Sequence, residues 1–291
     1  MSALPRRARR YLYRQQVGRA LRRVRRGRRD RCWCGGRLLD VAWHPSYSEC
    51  AACGCYVNRV PPLAEEFARI YSIDCYWGAV SRMRGWPPLS ERGELYRRDG
   101  RLEHWLALIA KYGPGGGTAV EVGCAPGVLL AELQRRHYEC VGVEPEARVG
   151  EWLRADMGLD VRVGMFPDPG LSLPPCDLFL AFDVLEHVPS PDEFVKEMAR
   201  LLKPGGIAII QAPIDQYEDD PPFGSQAPLV FDDIEHLVIF VDEAMRELGR
   251  RSGLEVVSLS EKPWLRRHEL CIYRKPVGAA GRSDPATVQR R

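Results

Sequence analysis

The sequence predicts an α/β protein: a mostly parallel seven-stranded sheet covered by helices, with a small cysteine-rich module in front of it. Three observations predict this. Apolar runs of strand length alternate with amphipathic runs of helix length from residue 113 to 275, and such alternation builds a parallel sheet covered on both faces. A glycine-bearing loop, Gly123 to Gly127, joins the first strand to its helix. Five of the ten cysteines crowd between Cys32 and Cys55.

The elements follow in order. Thr118–Gly123 reads as a short buried strand after the turn at Gly113–Gly117, with a helix from about Gly127 to His137. Glu139–Glu144 is the second strand and Glu146–Met157 the next helix. Asp160–Val163 and Asp177–Phe182 are the third and fourth strands. Pro191–Leu202 is a helix ended by Lys203-Pro204-Gly205-Gly206, and Ile207–Gln211 is the fifth strand. Asp242–Ser252 is a helix stopped by Gly253. Leu254–Leu259 and Leu270–Tyr273 close the pattern as a hairpin, which makes the last strand antiparallel. This is a Rossmann-like order.

Five segments are expected: an arginine-rich arm over 1–31, the cysteine module over 32–60, a helical, aromatic-rich lid or linker over 61–112, the α/β domain over 113–275, and a disordered tail over 276–291. No apolar run approaches the roughly 18 residues that span a bilayer. The opening MSALPRRARR lacks the apolar stretch of a secretory signal. Singly scattered cysteines without such a signal point to a reducing, cytoplasmic setting. The net charge of +3 hides an asymmetry: residues 1–31 carry thirteen arginines and one acid, Asp30. The remainder is acidic, which excludes a global electrostatic case for nucleic-acid binding. Within the arm, Tyr13, Val17, Ala20, Leu21 and Val24 fall at helical spacing. A basic amphipathic helix of this kind suits peripheral contact with an anionic membrane face; a solvated arm and RNA binding are the alternatives.

The loop Glu121-Val122-Gly123-Cys124-Ala125-Pro126-Gly127 carries the chemistry. Gly123 and Gly127 let the backbone turn tightly and approach a ligand. A dinucleotide fingerprint would need glycine at Ala125 and Val128, so NAD and FAD are disfavoured. Glu121 suits a cationic or hydrogen-bond-donating group. Glu144 ends the second strand, where a ribose diol is gripped. The expected ligand is a nucleoside without a diphosphate.

Together with Phe182-Asp183-Val184-Leu185-Glu186-His187-Val188 and Leu202-Lys203-Pro204-Gly205-Gly206, these motifs resemble the class I S-adenosylmethionine (SAM)-dependent methyltransferase family over residues 113–275. The resemblance implies SAM as cofactor. It places Glu121, Gly123 and Gly127, with Cys124 in the same loop, at the methionine end, and Glu144 on the ribose. Met165 and Phe166 would lie beside adenine, although simple core packing accounts for them equally well. Asp183 and Leu185 would close the pocket.

In the cysteine module, Cys32-Trp33-Cys34-Gly35-Gly36 precedes Cys50-Ala51-Ala52-Cys53-Gly54-Cys55. Two knuckles about 15 residues apart fit a zinc ribbon, with Cys32, Cys34, Cys50 and Cys53 as ligands of a structural zinc. The first knuckle has one intervening residue instead of two, so Cys55 or His44 could replace a ligand. A metal-free cysteine loop is the alternative. A subgroup of the family resembled here also carries an N-terminal cysteine module, and several of its members act on nucleotide-linked sugars. Their Tyr-x-Glu-His-like segment resembles Asp232-Asp233-Ile234-Glu235-His236-Leu237, without the tyrosine.

Methyl transfer to a hydroxyl or carbon needs a base as well as positioning. The six histidines are His44, His104, His137, His187, His236 and His268. His236 with Glu235, after the long connection Pro213–Pro228, and His187, after the fourth strand, are the expected catalytic candidates. The connection itself is expected to be a lid or substrate wall. Tyr71, Tyr76, Trp77 and Trp86 would stack on an acceptor or pack against the core. The expected activity is O-methylation of a sugar or glycan-type small molecule. A tRNA or rRNA methyltransferase and a non-catalytic SAM-binding zinc scaffold are the alternatives. The sequence leaves oligomeric state open.

Overall fold

The computed structural model describes residues 23–41, 44–213, 235–261 and 268–277. The expected membrane-binding helix at 13–24, most of the connection Pro213–Pro228, and the tail lie outside them, apart from Val24, Pro213 and the start of the tail.

The cysteine module contains three short antiparallel strands, β1 (Leu38–Asp40), β2 (Tyr47–Cys50) and β3 (Tyr56–Asn58). The end of the arginine arm runs extended beside it: Gly27 and Arg29 donate backbone bonds to Pro61 and Arg59. Short helices follow: α1 (Phe67–Ile70), a π-helical turn (Cys75–Val80) running into α2 (Ser81–Arg84), α3 (Leu89–Arg98) and α4 (Arg101–Tyr112).

The α/β part comprises β4 (Gly117–Val122), α5 (Val128–Arg135), β5 (Tyr138–Glu144), α6 (Ala147–Met157), β6 (Val161–Val163), β7 (Cys176–Phe182), α7 (Pro191–Leu201) and β8 (Leu202–Pro213). After the undescribed stretch come β9 (Val238–Ile239), α8 (Asp242–Arg251), β10 (Glu255–Glu261) and β11 (His268–Arg274). The large sheet has seven strands in the order β10-β11-β8-β7-β4-β5-β6. Only β11 runs antiparallel to its neighbours, as the terminal hairpin requires.

The sequence explains this packing. β7 reads Cys-Asp-Leu-Phe-Leu-Ala-Phe, a nearly continuous apolar run suited to a strand buried on both faces. One face packs under α4, α5 and α6 through Leu102, Ile109, Leu133 and Leu153. The other packs under α7 and α8 through Phe194, Met198, Met245 and Leu248. This second core continues into the cysteine module through Cys32, Cys50, Cys55 and Val57.

Two features depart from expectation. Lys203–Gly206 does not separate helix from strand: β8 begins at Leu202, and Gly205 and Gly206 pair with Lys275 by backbone bonds. Gly205 adopts φ +81° there, which a side chain would strain. The cysteine module is also not self-contained. β9 adds to it as a fourth strand, with Tyr56 opposite Ile239 and Val57 opposite Val238.

α8 approaches the sheet closely because Gly249 has no side chain. A Cβ there would lie 2.5 Å from the Tyr273 ring. That ring cannot yield, being fully buried with its hydroxyl donating to the Met245 carbonyl at 2.7 Å. Gly249→Val is expected to lower unfolding free energy by about 1–3 kcal/mol, read as a lower urea midpoint; an unchanged midpoint would show that the helix shifts freely.

Candidate functional site

β4 is the point where the strand order reverses: β5 and β6 lie to one side, β7 and β8 to the other. Ligands of open α/β sheets bind outside the C-terminal ends of strands at such a point. A cavity of about 350 Å³ lies here, its walls including Glu121 near the end of β4 with Gly123 and Cys124 after it, Glu144 at the end of β5, Met165 and Phe166 after β6, and Asp183, Val184 and His187 after β7.

Local geometry gives each wall residue its place. Gly123 (φ +70°) and Gly127 (φ +81°) take left-handed conformations. A Cβ on Gly123 would lie 2.6 Å from Val184, and one on Gly127 2.6 Å from Leu153 and 2.8 Å from Leu159. Both glycines therefore serve the loop's own packing as well as ligand access. Glu146 caps α6 by accepting from the Val149 amide at 2.8 Å. The Glu146 amide in turn donates to Glu144 Oε1 at 3.3 Å.

Three buried acids dominate the electrostatics. Glu121 is 5% exposed and its Oε2 has no hydrogen-bond partner; burial alone raises its pKa well above the carboxylate range. Burial pushes Glu144 up to about 8. Glu186 is 1% exposed, and burial, with Asp183 and Glu235 adding repulsion, raises its pKa well above normal. Its Oε2 also has no partner. Asp183 holds φ +58°, an uncommon conformation that its contacts with Gln211 maintain.

His187 is fixed from behind. Its Nδ1 lies 2.7 Å from the Glu235 carbonyl oxygen. A carbonyl only accepts, so Nδ1 carries the proton and donates. Nε2 then faces Glu186 Oε1 at 3.4 Å. The His236 ring lies 4.9 Å from that of His187. Glu235 and His236 thus stand behind His187, outside the cavity wall. Leu185 is fully buried in the core and is also absent from the wall. Phe166 reaches the cavity, but its ring packs against Phe194 at 4.8 Å. Met165 lines the wall directly.

The opposite wall comes from residues 71–105. Tyr71, Tyr76, Trp77 and Trp86 all line the cavity, and Tyr71 lies edge-on to His187 at 5.7 Å. Sequence reasoning missed Arg92, Tyr96, Arg101 and Trp105, which lie there too. Arg92 sits over Trp86 at 4.7 Å, Arg101 over Tyr96 at 4.3 Å, and Trp105 stacks on Phe182 at 4.4 Å. Their spacing on α3 and α4 reads as ordinary helix packing, so only the arginine–aromatic pairing in the sequence could have drawn attention to them.

In the cysteine module, the sulfurs of Cys32, Cys34, Cys50 and Cys53 lie within 4.8 Å of one another. Cys32 and Cys53 are 3.6 Å apart and Cys34 and Cys50 3.5 Å. The Gly36 and Ala52 amides point at the Cys34 and Cys50 sulfurs, each at 3.4 Å. A Cβ on Gly36 would lie 2.5 Å from Cys50 Sγ, so the knuckles need glycine there. Cys55 is buried outside this group of four, and His44 Nδ1 accepts from the Ser46 amide instead.

Residues 95–259 match the family described as "Methyltransferase domain". A curated "uncharacterized methyltransferase" from Mycobacterium sp. (strain KMS) is 39% identical over 101 residues, covering 33% of this chain and 39% of that protein. A similarly described protein from Mycobacterium tuberculosis is 34% identical over 111 residues, covering 36% and 42%. The chain therefore spans about two fifths of the length of these relatives. Among solved structures, human N-acetylserotonin methyltransferase in complex with SAM aligns with a TM-score of 0.53 at 17% identity, over 74% of this chain and 60% of that one; at that identity the likeness is one of fold. The matched residues cover more than half of the sequence and run from α3 through β10, taking in β4, β5, β7 and the cavity between them; the chain belongs to the methyltransferase-domain family.

Proposed function

We propose that the protein is a SAM-dependent methyltransferase acting on a hydroxyl of a sugar or glycan-type small molecule, with a structural zinc in its cysteine module. The observation that carries the methyl-transfer reading is Glu121: a buried carboxylate with an unpartnered oxygen at the sheet's switch point. Such an oxygen costs free energy until a donor reaches it. A ligand ammonium or hydroxyl supplies that donor, and Glu144 offers a second acceptor where ribose hydroxyls fit. When bound, SAM supplies an activated methyl group whose sulfur leaves with the electrons of the broken S–C bond.

The chain's own residues position the acceptor and take its proton. The aromatic wall of Tyr71, Tyr76, Trp77 and Trp86 supports stacking of a pyranose face and excludes water. The proton leaves the acceptor oxygen at the His187 end, where Nε2 lacks a proton and Glu186 and His236 stand close. Glu235 acts through its carbonyl, which holds the His187 ring in place.

The four cysteine sulfurs fit zinc. A tetrahedral ion with Zn–S near 2.3 Å sets its sulfurs about 3.8 Å apart, close to the 3.5 and 3.6 Å contacts here. Four protein ligands leave no open position, so the ion would be structural.

Three outcomes are expected. Glu121→Gln should weaken SAM binding at least about tenfold without lowering the melting temperature of the ligand-free protein; calorimetry showing equal affinity would remove Glu121 from the SAM site. Release of the demethylated cofactor should occur with sugar or glycan acceptors, and His187→Ala should cut it about a hundred-fold or more with SAM affinity retained. Release only with RNA would transfer the reading to an RNA methyltransferase. Elemental analysis should find a zinc that Cys50→Ser loses; equal zinc in both proteins would exclude the Cys32, Cys34, Cys50 and Cys53 set.

A further inference from the structure

The Glu186–His187–His236 cluster brings two imidazoles and a buried carboxyl group together. His187 spends its only neutral-state proton on the Glu235 carbonyl. Its Nε2 lone pair therefore points at Glu186 Oε1, 3.4 Å away. Either a proton on the buried carboxyl or a cation held between the two atoms satisfies that contact. The second oxygen of Glu186 is buried and unpartnered. Asp183 and Glu235 add negative potential to the same place.

We propose that Glu186, His187 and His236 form a binding site for a divalent first-row transition metal, held apart from the zinc of the cysteine module. One ligand atom from each lies within 4.8 Å of the others. Two donors about 2.1 Å from a tetrahedral ion are about 3.4 Å apart, which is the Glu186–His187 separation. Two imidazoles and one carboxylate suit manganese, iron, cobalt or zinc, while four thiolates select zinc. The Nδ1–H bond to a backbone carbonyl is the outer-shell contact that orients metal-bound histidines. Three protein ligands leave positions open, next to the cavity that His187 lines. With the ion bound, His187 Nε2 would be a ligand and no longer the base; the ion would instead lower the pKa of an acceptor hydroxyl bound there, whose proton passes to water. This inference rests on the methyltransferase reading for its purpose, but not for its binding chemistry.

The test uses the full chain with its zinc in place, titrated with MnCl2 and followed by the loss of the free-ion electron paramagnetic resonance signal. Thiolates compete poorly for manganese, so the titration reports the nitrogen and oxygen site. One bound equivalent is expected, weakened at least about tenfold in His236→Ala and in the near-isosteric Glu186→Gln. Glu186→Gln decides the matter if His236→Ala does not fold. Absence of manganese binding in the wild type, or equal binding in Glu186→Gln, would overturn the site. SAM calorimetry on the same samples separates the readings: manganese binding without SAM binding sinks the methyltransferase proposal alone, and SAM binding without manganese binding sinks the metal site alone.

Discussion

The short segment Glu235–Leu237 joins the cysteine module to the reaction cavity. Hydrogen bonds to both sides hold it. His187 donates to the Glu235 carbonyl, and the Tyr47 hydroxyl to the His236 carbonyl at 2.6 Å. The Leu237 amide donates to the Glu186 carbonyl at 2.7 Å, and the Asn58 amide to the Leu237 carbonyl at 2.9 Å. Each such bond contributes on the order of 1 kcal/mol, and all are sheltered beside a buried core. Of these partners, two come from the module and two from the turn after β7. The orientation of the His187 ring is thus linked by backbone to the strands that carry Cys50 and its neighbours.

The acids at the cavity wall and just behind it are held at a cost to the fold. Glu121, Glu144 and Glu186 are all buried, and all three favour the protonated form. Unpartnered buried oxygens on two of them raise the free energy of the folded state. Asp183 adds a strained backbone angle. The surrounding sheet, with β7 and β8 buried along most of their length, supplies the stability that lets these local penalties persist. The penalties concentrate where donors or cations from a ligand would relieve them.

Much of this was legible in the sequence because periodicity and turn chemistry are local. The seven strands of the large sheet, their helices and the antiparallel last strand follow from apolar runs and the glycines between them. So do Glu121, Glu144 and the group of four cysteines, whose spacing alone defines the knuckles. The missed features are non-local. Val238-Ile239 is an apolar pair like many others, and nothing in it names β3 as its partner. Arg92 and Arg101 look like surface residues of amphipathic helices until the aromatic rings under them are placed. Glu186 stood inside a recognised motif, yet its importance emerges only when His236 arrives from 50 residues away. The helix end at Leu202 was legible, but the start of β8 was placed at Ile207 instead of Leu202 because Gly205 and Gly206 pair with Lys275, a contact that no local rule anticipates.

The pairing of Val57 with Val238 also sets an order on biosynthesis. The first strands leave the ribosome early, but their sheet lacks its last member until about 180 more residues have been made. Contacts of such long sequence separation form slowly, since the chain between them must be ordered first. In the interval the free edge of β3 has no strand beside it, and exposed edges invite pairing with other chains. Metal capture by the cysteines would stabilise the module at that stage, and a bound ion would then hold a sheet that Val238 and Ile239 complete later.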